Sequence, residues 1–295
     1  MQDFTYHAPA ELSEALSLHR ADPEHTRFLA GGTDLYLSLE HGDKAVRHVV
    51  DLKGISGLSG IRKDPDGSFH IGALTLMVAL ERHSELNALY PVLCEAAHMV
   101  GGPALRNRAT VGGNVCNASP AADTGSALLA LEAQAVVVSN SGERRIPIRQ
   151  LWRGPRQNTL APGEVLATLV LPPQPAGTGS AFARVTRSVM DISVVNASAV
   201  VRLDDAGRIA YLSLSVGAVA PTPLAVPEAS KMMLGKTPNE VSLTALSTLV
   251  ESLARPITDN RGNMDYRRDM AGVLAARVVR IAAERAIPLR GRGDR

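Results

Sequence analysis

Residues 109–124 read A-T-V-G-G-N-V-C-N-A-S-P-A-A-D-T. The stretch combines a glycine pair, Gly112 and Gly113, with several amide and hydroxyl side chains and with one late carboxylate, Asp123. Glycine tolerates positive φ and has no Cβ atom, so a backbone of this kind can approach a phosphate closely. The pattern therefore predicts a segment that wraps a polar ligand.

A second glycine pair stands earlier in the chain, in Ala30-Gly31-Gly32-Thr33-Asp34, directly after the apolar Phe28-Leu29. Two loops of one chemical type could meet around a dianionic ligand such as the pyrophosphate of a dinucleotide. Neither pair matches G-x-G-x-x-G or the phosphate loop that ends G-K-[ST], so both of those fingerprints are absent. The alternative is that each pair only makes a tight turn.

The two carboxylates near these loops need a separate interpretation, because a carboxylate repels a phosphate. Asp123 precedes the apolar run 127–131, which predicts a helix N-cap, either alone or combined with hydrogen bonding to a ligand hydroxyl or ring N–H. Asp34 either accepts a hydrogen bond from a sugar hydroxyl or orients its own loop.

The composition limits the class of protein. With 295 residues, 45% hydrophobic and 20% charged, the chain can bury a large core and is expected to form two domains. A net charge of +2 gives no electrostatic footprint for nucleic acid. The local basic runs are interpreted as solvated surface or a frayed tail: Arg144, Arg145 and Arg149, and Arg290, Arg292 and Arg295.

Compartment and metal chemistry follow from what the sequence contains. No apolar run approaches the roughly 18 residues that span a bilayer, and the N-terminus does not resemble a signal peptide, so a cytoplasmic location is predicted. Two cysteines, Cys94 and Cys116, exclude a disulfide framework. Cys94 and His98 could share a metal from one helix, but without a second pair of ligands packing is favoured. Cys116 has no adjacent histidine, which favours a small packed thiol over a nucleophile.

Helix and strand patterns interleave without strict alternation, which favours an α+β fold. Strands 26–29 and 46–52 are expected to form a β-α-β unit that carries the first glycine pair. The segment 172–179 is rich in proline and glycine and predicts a linker. The other predicted helices are 9–20, 75–84, 91–99, 240–253 and 264–286, and the other predicted strands are 68–71, 135–138, 145–147, 165–171, 181–185, 193–203 and 209–216.

In their order and spacing, the two loops resemble those of the flavin-binding subunits of the molybdenum hydroxylases, the family of xanthine dehydrogenase and aerobic carbon monoxide dehydrogenase. Leu29–Asp34 resembles the first family motif, and residues 109–124 resemble the second, T-[IVL]-G-G-N followed by A-S-P-x-x-D. Four further segments match: Gly72–Thr75 (I-G-A-x-T), Pro162–Leu166 (P-x-E-x-L), Phe182–Ile192 (F-x-K-x-x-R leading into D-I) and Tyr266–Leu274 in the C-terminal helix.

The resemblance implies a two-subdomain FAD-binding domain of the vanillyl-alcohol-oxidase type, followed by a smaller α+β C-terminal domain. The implied bounds are 1–173 for the first domain, with subdomains at about 1–55 and 56–173, then 179–288 for the second and a tail at 289–295. In the family, a large molybdopterin subunit oxidises the substrate and a small subunit carries [2Fe-2S] clusters. FAD then passes the electrons to NAD+ or a quinone, and the subunits form a dimer of heterotrimers.

The resemblance also implies which residues bind FAD, while no catalytic or metal-binding residue is implied for this chain. The two loops would line the diphosphate, Asp123 would contact the flavin or its sugar chain, and Leu166 and Arg184 would lie near the isoalloxazine. Arg184 replaces the family's usual lysine, which keeps the cation but changes its geometry. The implied FAD-binding residues are Leu29, Ala30, Gly31, Gly32, Thr33, Asp34, Leu35, Thr110, Val111, Gly112, Gly113, Asn114, Ser119, Asp123, Leu166 and Arg184.

Two other functions stay open from the sequence. One is a non-catalytic scaffold subunit of the same fold, which would not need to retain the glycine, asparagine and aspartate positions of the loops. The other is a stand-alone flavin oxidase, which would need substrate acid and base groups within this chain. No convincing acid and base pair is evident, so the sequence favours a partner-dependent oxidoreductase subunit.

Overall fold

The computed structural model describes residues 3–41 and 45–286, and the residues form two compact units. The first unit contains the described residues up to Ala79 together with Gly102–Ala118 and Ala133–Pro172. The second contains Leu80–Gly101, Ser119–Glu132 and the described residues from Pro173 onward. The domain bounds expected from the sequence remain a prediction, and the tail at 289–295, with its three arginines, lies outside the described residues.

The secondary structure mixes helices and strands throughout. In chain order the strands are β1 Thr5–His7, β2 Thr26–Leu29, β3 His48–Asp51, β4 Ile61–Lys63, β5 Phe69–Gly72, β6 Gln134–Ser139, β7 Gly142–Pro147, β8 Trp152–Gly154, β9 Gln157–Asn158, β10 Glu164–Leu171, β11 Thr178–Val185, β12 Val195–Leu203, β13 Ile209–Gly217 and β14 Leu224–Ala225. The helices are α1 Leu12–Ala21, α2 Leu35–Glu40, α3 Met77–Arg82, α4 Ser84–Leu89, α5 Pro91–His98, α6 Pro103–Arg106, α7 Val111–Cys116, α8 Asp123–Ala130, α9 Pro227–Met233, α10 Glu240–Leu253 and α11 Met264–Ala286, with a short 3-10 turn at Ile148–Gln150.

The first unit contains a parallel three-stranded sheet with the order β1-β3-β2. Parallel neighbours require a crossover, and α2 supplies it between β2 and β3. Helix α1 buries Ala15 and Leu16 in the same core cluster as Val50 of β3. The predicted β-α-β unit is therefore confirmed, and the first glycine pair lies at the end of β2, where the chain turns into α2.

A second sheet of the first unit has the order β4-β5-β10-β6-β7, and all its neighbours are antiparallel. Strand β10 is its central strand and is buried along most of its length. Ala73, directly after β5, donates its N–H to the carbonyl of Ala167 in β10 at 2.8 Å. This bond fixes the end of β5, against which the second glycine pair packs.

The second unit is built on the antiparallel sheet β11-β12-β13-β14. Helix α11 and α8 pack on this sheet, and the core is formed mainly by valine, alanine and leucine. The predicted linker 172–179 ends too late, because β11 already begins at Thr178. A Cβ atom on Gly179 would lie 2.1 Å from the carbonyl oxygen of Ala282 in α11, so this glycine allows close packing of strand and helix.

Among the residues that the structure describes, no helix combines the length and apolar character needed to cross a bilayer.

Candidate functional site

The two glycine loops lie against each other in the first unit. A Cβ atom on Gly31 would be 2.1 Å from the carbonyl oxygen of Arg108, so the two backbones are in direct contact. Asn117 donates its Nδ2–H to Oδ1 of Asp34 over 3.1 Å, which ties the end of the second motif to the first loop. The predicted meeting of the loops is confirmed, and the hydrogen bond to Asp34 agrees with the loop-orienting alternative for this residue, whose role at a ligand stays a prediction.

The glycines of the two pairs do not all have the same structural role. Gly32 has φ +79°, which only glycine adopts without strain. A Cβ atom on Gly112 would lie 2.6 Å from the carbonyl oxygen of Ala73, so Gly112 permits close backbone packing, as Gly31 does. Gly112 and Gly113 do not use the positive φ that glycine tolerates. Both lie in α7, and the residues of an α-helix have negative φ.

The second motif contains α7, a short helix where a loop was predicted. Thr110 is its N-cap, and the Thr110 Oγ1 accepts a hydrogen bond from the N–H of Gly113 at 3.1 Å. The other early N–H groups also have protein acceptors: Val111 donates to Thr75, Gly112 to Ala73 and Asn114 to Thr110, at 2.8–3.0 Å. A ligand contact from these backbone groups would therefore have to share an existing hydrogen bond.

The backbone N–H groups of the first loop differ from those of α7 in their hydrogen bonding. Within the described part of the chain, the backbone N–H groups of residues 31–35 donate no hydrogen bond to a protein acceptor. The loop carbonyls are used instead, since Gly32 accepts from the N–H of Tyr36 at 2.9 Å. Consecutive free N–H groups around a glycine with positive φ form a concavity that suits an anion. The geometry thus places the free donors on the first loop.

A cavity of about 620 Å³ opens beside the first loop, within the first unit. Its walls are mostly apolar and include two exposed tyrosines, Tyr6 and Tyr36. Two cations also line it. Lys53 is paired with Asp51 at 2.7 Å, whereas Arg108 is exposed and has no carboxylate partner among the described residues. Sequence reasoning missed both cations, although Arg108 stands only two residues before Thr110.

Asp123 lies in the second unit and is 6% exposed. It is the first residue of α8, with Ala122 as N-cap, so the predicted capping role is wrong. The carboxylate instead accepts three hydrogen bonds, from Arg184 Nη1 at 2.8 Å, Ser193 Oγ at 2.5 Å and Asn196 Nδ2 at 3.2 Å. Burial raises the pKa of Asp123 to about 6, and these three donors oppose that rise.

Comparison with known proteins decides the family. Residues 2–174 match the family model described as the FAD binding domain in molybdopterin dehydrogenase. Residues 180–282 match the model described as the CO dehydrogenase flavoprotein C-terminal domain. The chain belongs to the FAD-binding subunits of the molybdenum hydroxylases. It is accordingly a subunit of an oxidoreductase, and its cofactor is FAD, as the resemblance implied.

Similar proteins cover nearly the whole chain. The xanthine dehydrogenase FAD-binding subunit of Escherichia coli O157:H7 is 35% identical over 95% of this chain and 96% of its own length. The carbon monoxide dehydrogenase medium chain of Afipia carboxidovorans is 32% identical over 96% of this chain and 98% of its own. A solved structure of reconstituted CO dehydrogenase from Oligotropha carboxidovorans superimposes with a TM-score of 0.92 at 31% identity, covering 96% of this chain and 99% of that one. The predicted α+β fold, a FAD-binding domain followed by a C-terminal flavoprotein domain, is confirmed.

The remaining predicted site residues of this flavoprotein subunit differ in what they can offer a ligand. Leu166 is 2% exposed within β10, so its side chain lies in the core of the sheet. Ser119 accepts a hydrogen bond from the N–H of Ala121 at 3.4 Å. Ser119, Asp123 and Arg184 belong to the second unit, and the other predicted site residues belong to the first. Their contacts with FAD stay predictions.

The two thiols of the flavoprotein subunit show no sign of reactivity. Burial raises the pKa of both Cys94 and Cys116 to about 12, so neither is a thiolate at neutral pH. His98 contacts Glu81 at 2.9 Å. No group of three or more potential metal ligands is found among the residues that the structure describes.

Proposed function

We propose that this subunit relays electrons through FAD in a molybdenum-containing dehydrogenase. Electrons would arrive from [2Fe-2S] clusters of a partner subunit and leave FAD for NAD+ or a quinone. FAD supplies the redox chemistry when it is bound, while the protein supplies its position and electrostatic surroundings. The relatives support this proposal, because they include the FAD-binding subunit of a xanthine dehydrogenase and the medium chain of a carbon monoxide dehydrogenase.

The observation that carries the placement of FAD is the set of free N–H groups at residues 31–35. We place the diphosphate there, where Gly32 turns the chain with a positive φ. Arg108 stands at the same cavity and adds a positive charge that no carboxylate of residues 3–41 or 45–286 pairs. Arg108, directly before the second motif, contacts Gly31 through its backbone, and Asn117 of the motif donates a hydrogen bond to Asp34, so this segment holds the first loop in place.

The cavity beside this loop suits one planar end of a dinucleotide. Its volume of about 620 Å³ lies in the usual range for small-molecule sites, and its walls are apolar and aromatic. The adenosine end of FAD could rest against Tyr6 and Tyr36, with the diphosphate on the adjacent N–H groups. This arrangement uses residues of the first unit alone.

The partner proposal follows from the same relatives, which are named as subunits or chains of larger enzymes. The expected partners are a large molybdopterin subunit and a small [2Fe-2S] subunit, assembled as a dimer of heterotrimers. The chain purified from its native source should be yellow, contain FAD and co-purify with molybdenum and iron. A colourless protein that takes up no FAD on reconstitution would instead support the scaffold alternative. An active oxidase that purifies without partner subunits would support the stand-alone oxidase alternative.

Arg108→Gln is expected to weaken FAD binding about 3-fold to 10-fold, because it removes a cation that, in the proposed placement, faces the diphosphate. The matched control is Arg145→Gln, since Arg145 is also exposed but lies on β7, outside the cavity lining. The FAD dissociation constant of the purified complex should be measured at several salt concentrations. Equal affinity and an equal salt dependence in wild type and Arg108→Gln would contradict this placement of the diphosphate.

A further inference from the structure

The connection between β11 and β12, residues 186–194, presents apolar side chains to solvent from a closely held backbone. Val189 is 86% exposed and Met190 is 66% exposed. The base of this β11–β12 loop is closed by the N–H of Val194 donating to the carbonyl of Val185 at 2.8 Å. Within it, Asp191 N–H donates to the carbonyl of Ser188 at 3.1 Å.

Two arginines, Arg184 and Arg187, donate hydrogen bonds that hold the backbone and Asp191 of the β11–β12 loop. Arg184 donates from Nη2 to the carbonyl oxygen of Val189 at 2.6 Å and from Nη1 to that of Asp191 at 3.4 Å. Arg187 donates from Nε to the carboxylate of Asp191 at 2.8 Å and from Nη1 to the carbonyl of Asn260 at 3.1 Å. The exposed tip is therefore held through its backbone, while its apolar side chains stay free.

Both ends of the loop converge on one buried carboxylate. Arg184, near the start, donates to Asp123 Oδ2, and Ser193, near the end, donates to Asp123 Oδ1. The side chains of Arg184 and Asp123 are each only 7% exposed. A charge-assisted hydrogen bond in such a buried place is stronger and more directional than one on the surface.

The guanidinium shape matters for this arrangement. Arg184 uses one terminal nitrogen for Asp123 and the other for Val189, so the planar group bridges an anion and a loop carbonyl. A lysine would offer a single side-chain nitrogen, which would have to reach both acceptors. The arginine therefore links the buried carboxylate to the loop through two separate nitrogens.

We propose that Arg184 is a positioning residue, which fixes the β11–β12 loop to Asp123 through the two ends of its guanidinium and so sets where the apolar tip at Val189 and Met190 stands. This role goes beyond the flavin contact that the resemblance implied for Arg184, and it does not require FAD to be bound.

Hydrogen exchange of the loop amides tests the proposal in the purified complex at constant pH. In Arg184→Gln and Asp123→Asn, exchange of the amides of residues 189–194 is expected to be at least about tenfold faster than in wild type, because the loop loses its anchor. Arg184→Lys should keep a urea midpoint near wild type, since the buried charge pair survives, but should still show fast loop exchange. Slow, wild-type exchange in a folded Arg184→Gln or Arg184→Lys variant would overturn the two-ended bridge.

Arg208→Gln is the matched control. Arg208 pairs with Asp204 at 2.8 Å in the hairpin between β12 and β13 of the same sheet, so its loss should speed exchange there and leave residues 186–194 unchanged. Exchange of the core amides of β12 reports whether each variant is folded. The FAD content of each variant, measured in parallel, separates the two proposals. FAD missing from wild type would contradict the proposed function while the loop result stood, and wild-type loop exchange with FAD present would overturn only the role of Arg184.

Discussion

Gly31→Ala is expected to destabilise the chain by about 2–4 kcal/mol and to release FAD from the complex. The added Cβ atom would lie 2.1 Å from the carbonyl oxygen of Arg108 and 2.9 Å from its carbonyl carbon. Backbone atoms on both sides leave no flexible side chain to move aside, so the two loops must separate. Separation would also move the free N–H groups of the first loop away from Arg108. Urea unfolding of the full chain and the FAD content of the complex measure the two effects.

Gly54→Ala provides the matched control for that substitution. Gly54 lies in the same unit, and the nearest atom to its added Cβ would be the carbonyl oxygen of Pro9 at 3.8 Å, an ordinary contact. The control is expected to change stability by less than about 1 kcal/mol. A urea midpoint for Gly31→Ala equal to that of Gly54→Ala would show that the loops are not in backbone contact.

These glycines show how far the sequence predicts the site. The sequence identifies two glycine loops of one type, and their meeting is predicted from chemistry alone. It does not show which glycine requires positive φ, which permits packing and which faces a ligand. Those differences depend on Arg108 for Gly31 and on Ala73 for Gly112, and both neighbours are set by tertiary packing. The sequence also does not show which loop keeps free N–H groups. That difference appears only in the structure, where the early N–H groups of α7 have protein acceptors and those of the first loop have none among the described residues.

The fold was more accessible than the site, because its signals are local. Apolar periodicity and turn residues predict the β-α-β unit and the long C-terminal helices. Asp123 shows where local sequence signals fail to predict the role of a residue. Its place before an apolar run predicts a helix cap, a local role, yet its hydrogen bonds come from Arg184, Ser193 and Asn196, at least 60 residues later in the chain. Long-range partners of a buried charge leave no periodic signal in the sequence.

The pH dependence of stability should carry a component that belongs to Asp123. Its pKa is about 6 in the folded chain against an ordinary value of 3.8, so between about pH 4 and pH 6 the native state binds more protons than the unfolded state. Stability from this group therefore decreases as the pH rises through that window and is flat above it. A shift of about two pH units corresponds to roughly 3 kcal/mol, since each unit is about 1.4 kcal/mol.

Asp123→Asn isolates this component, because an amide does not titrate. The free energy of unfolding in urea, measured for both proteins from about pH 4 to pH 8, should show wild type losing up to about 3 kcal/mol relative to Asp123→Asn as the pH rises. Asp269→Asn, which alters an exposed carboxylate of α11, should give no such relative change. The sign of this relative change in stability shows whether burial or the three hydrogen-bond donors dominate the pKa of Asp123. A relative stability that rises with pH would mean that the charge of Arg184 and the hydrogen bonds from Ser193 and Asn196 outweigh the cost of burying the carboxylate, and would place the pKa of Asp123 below its ordinary value.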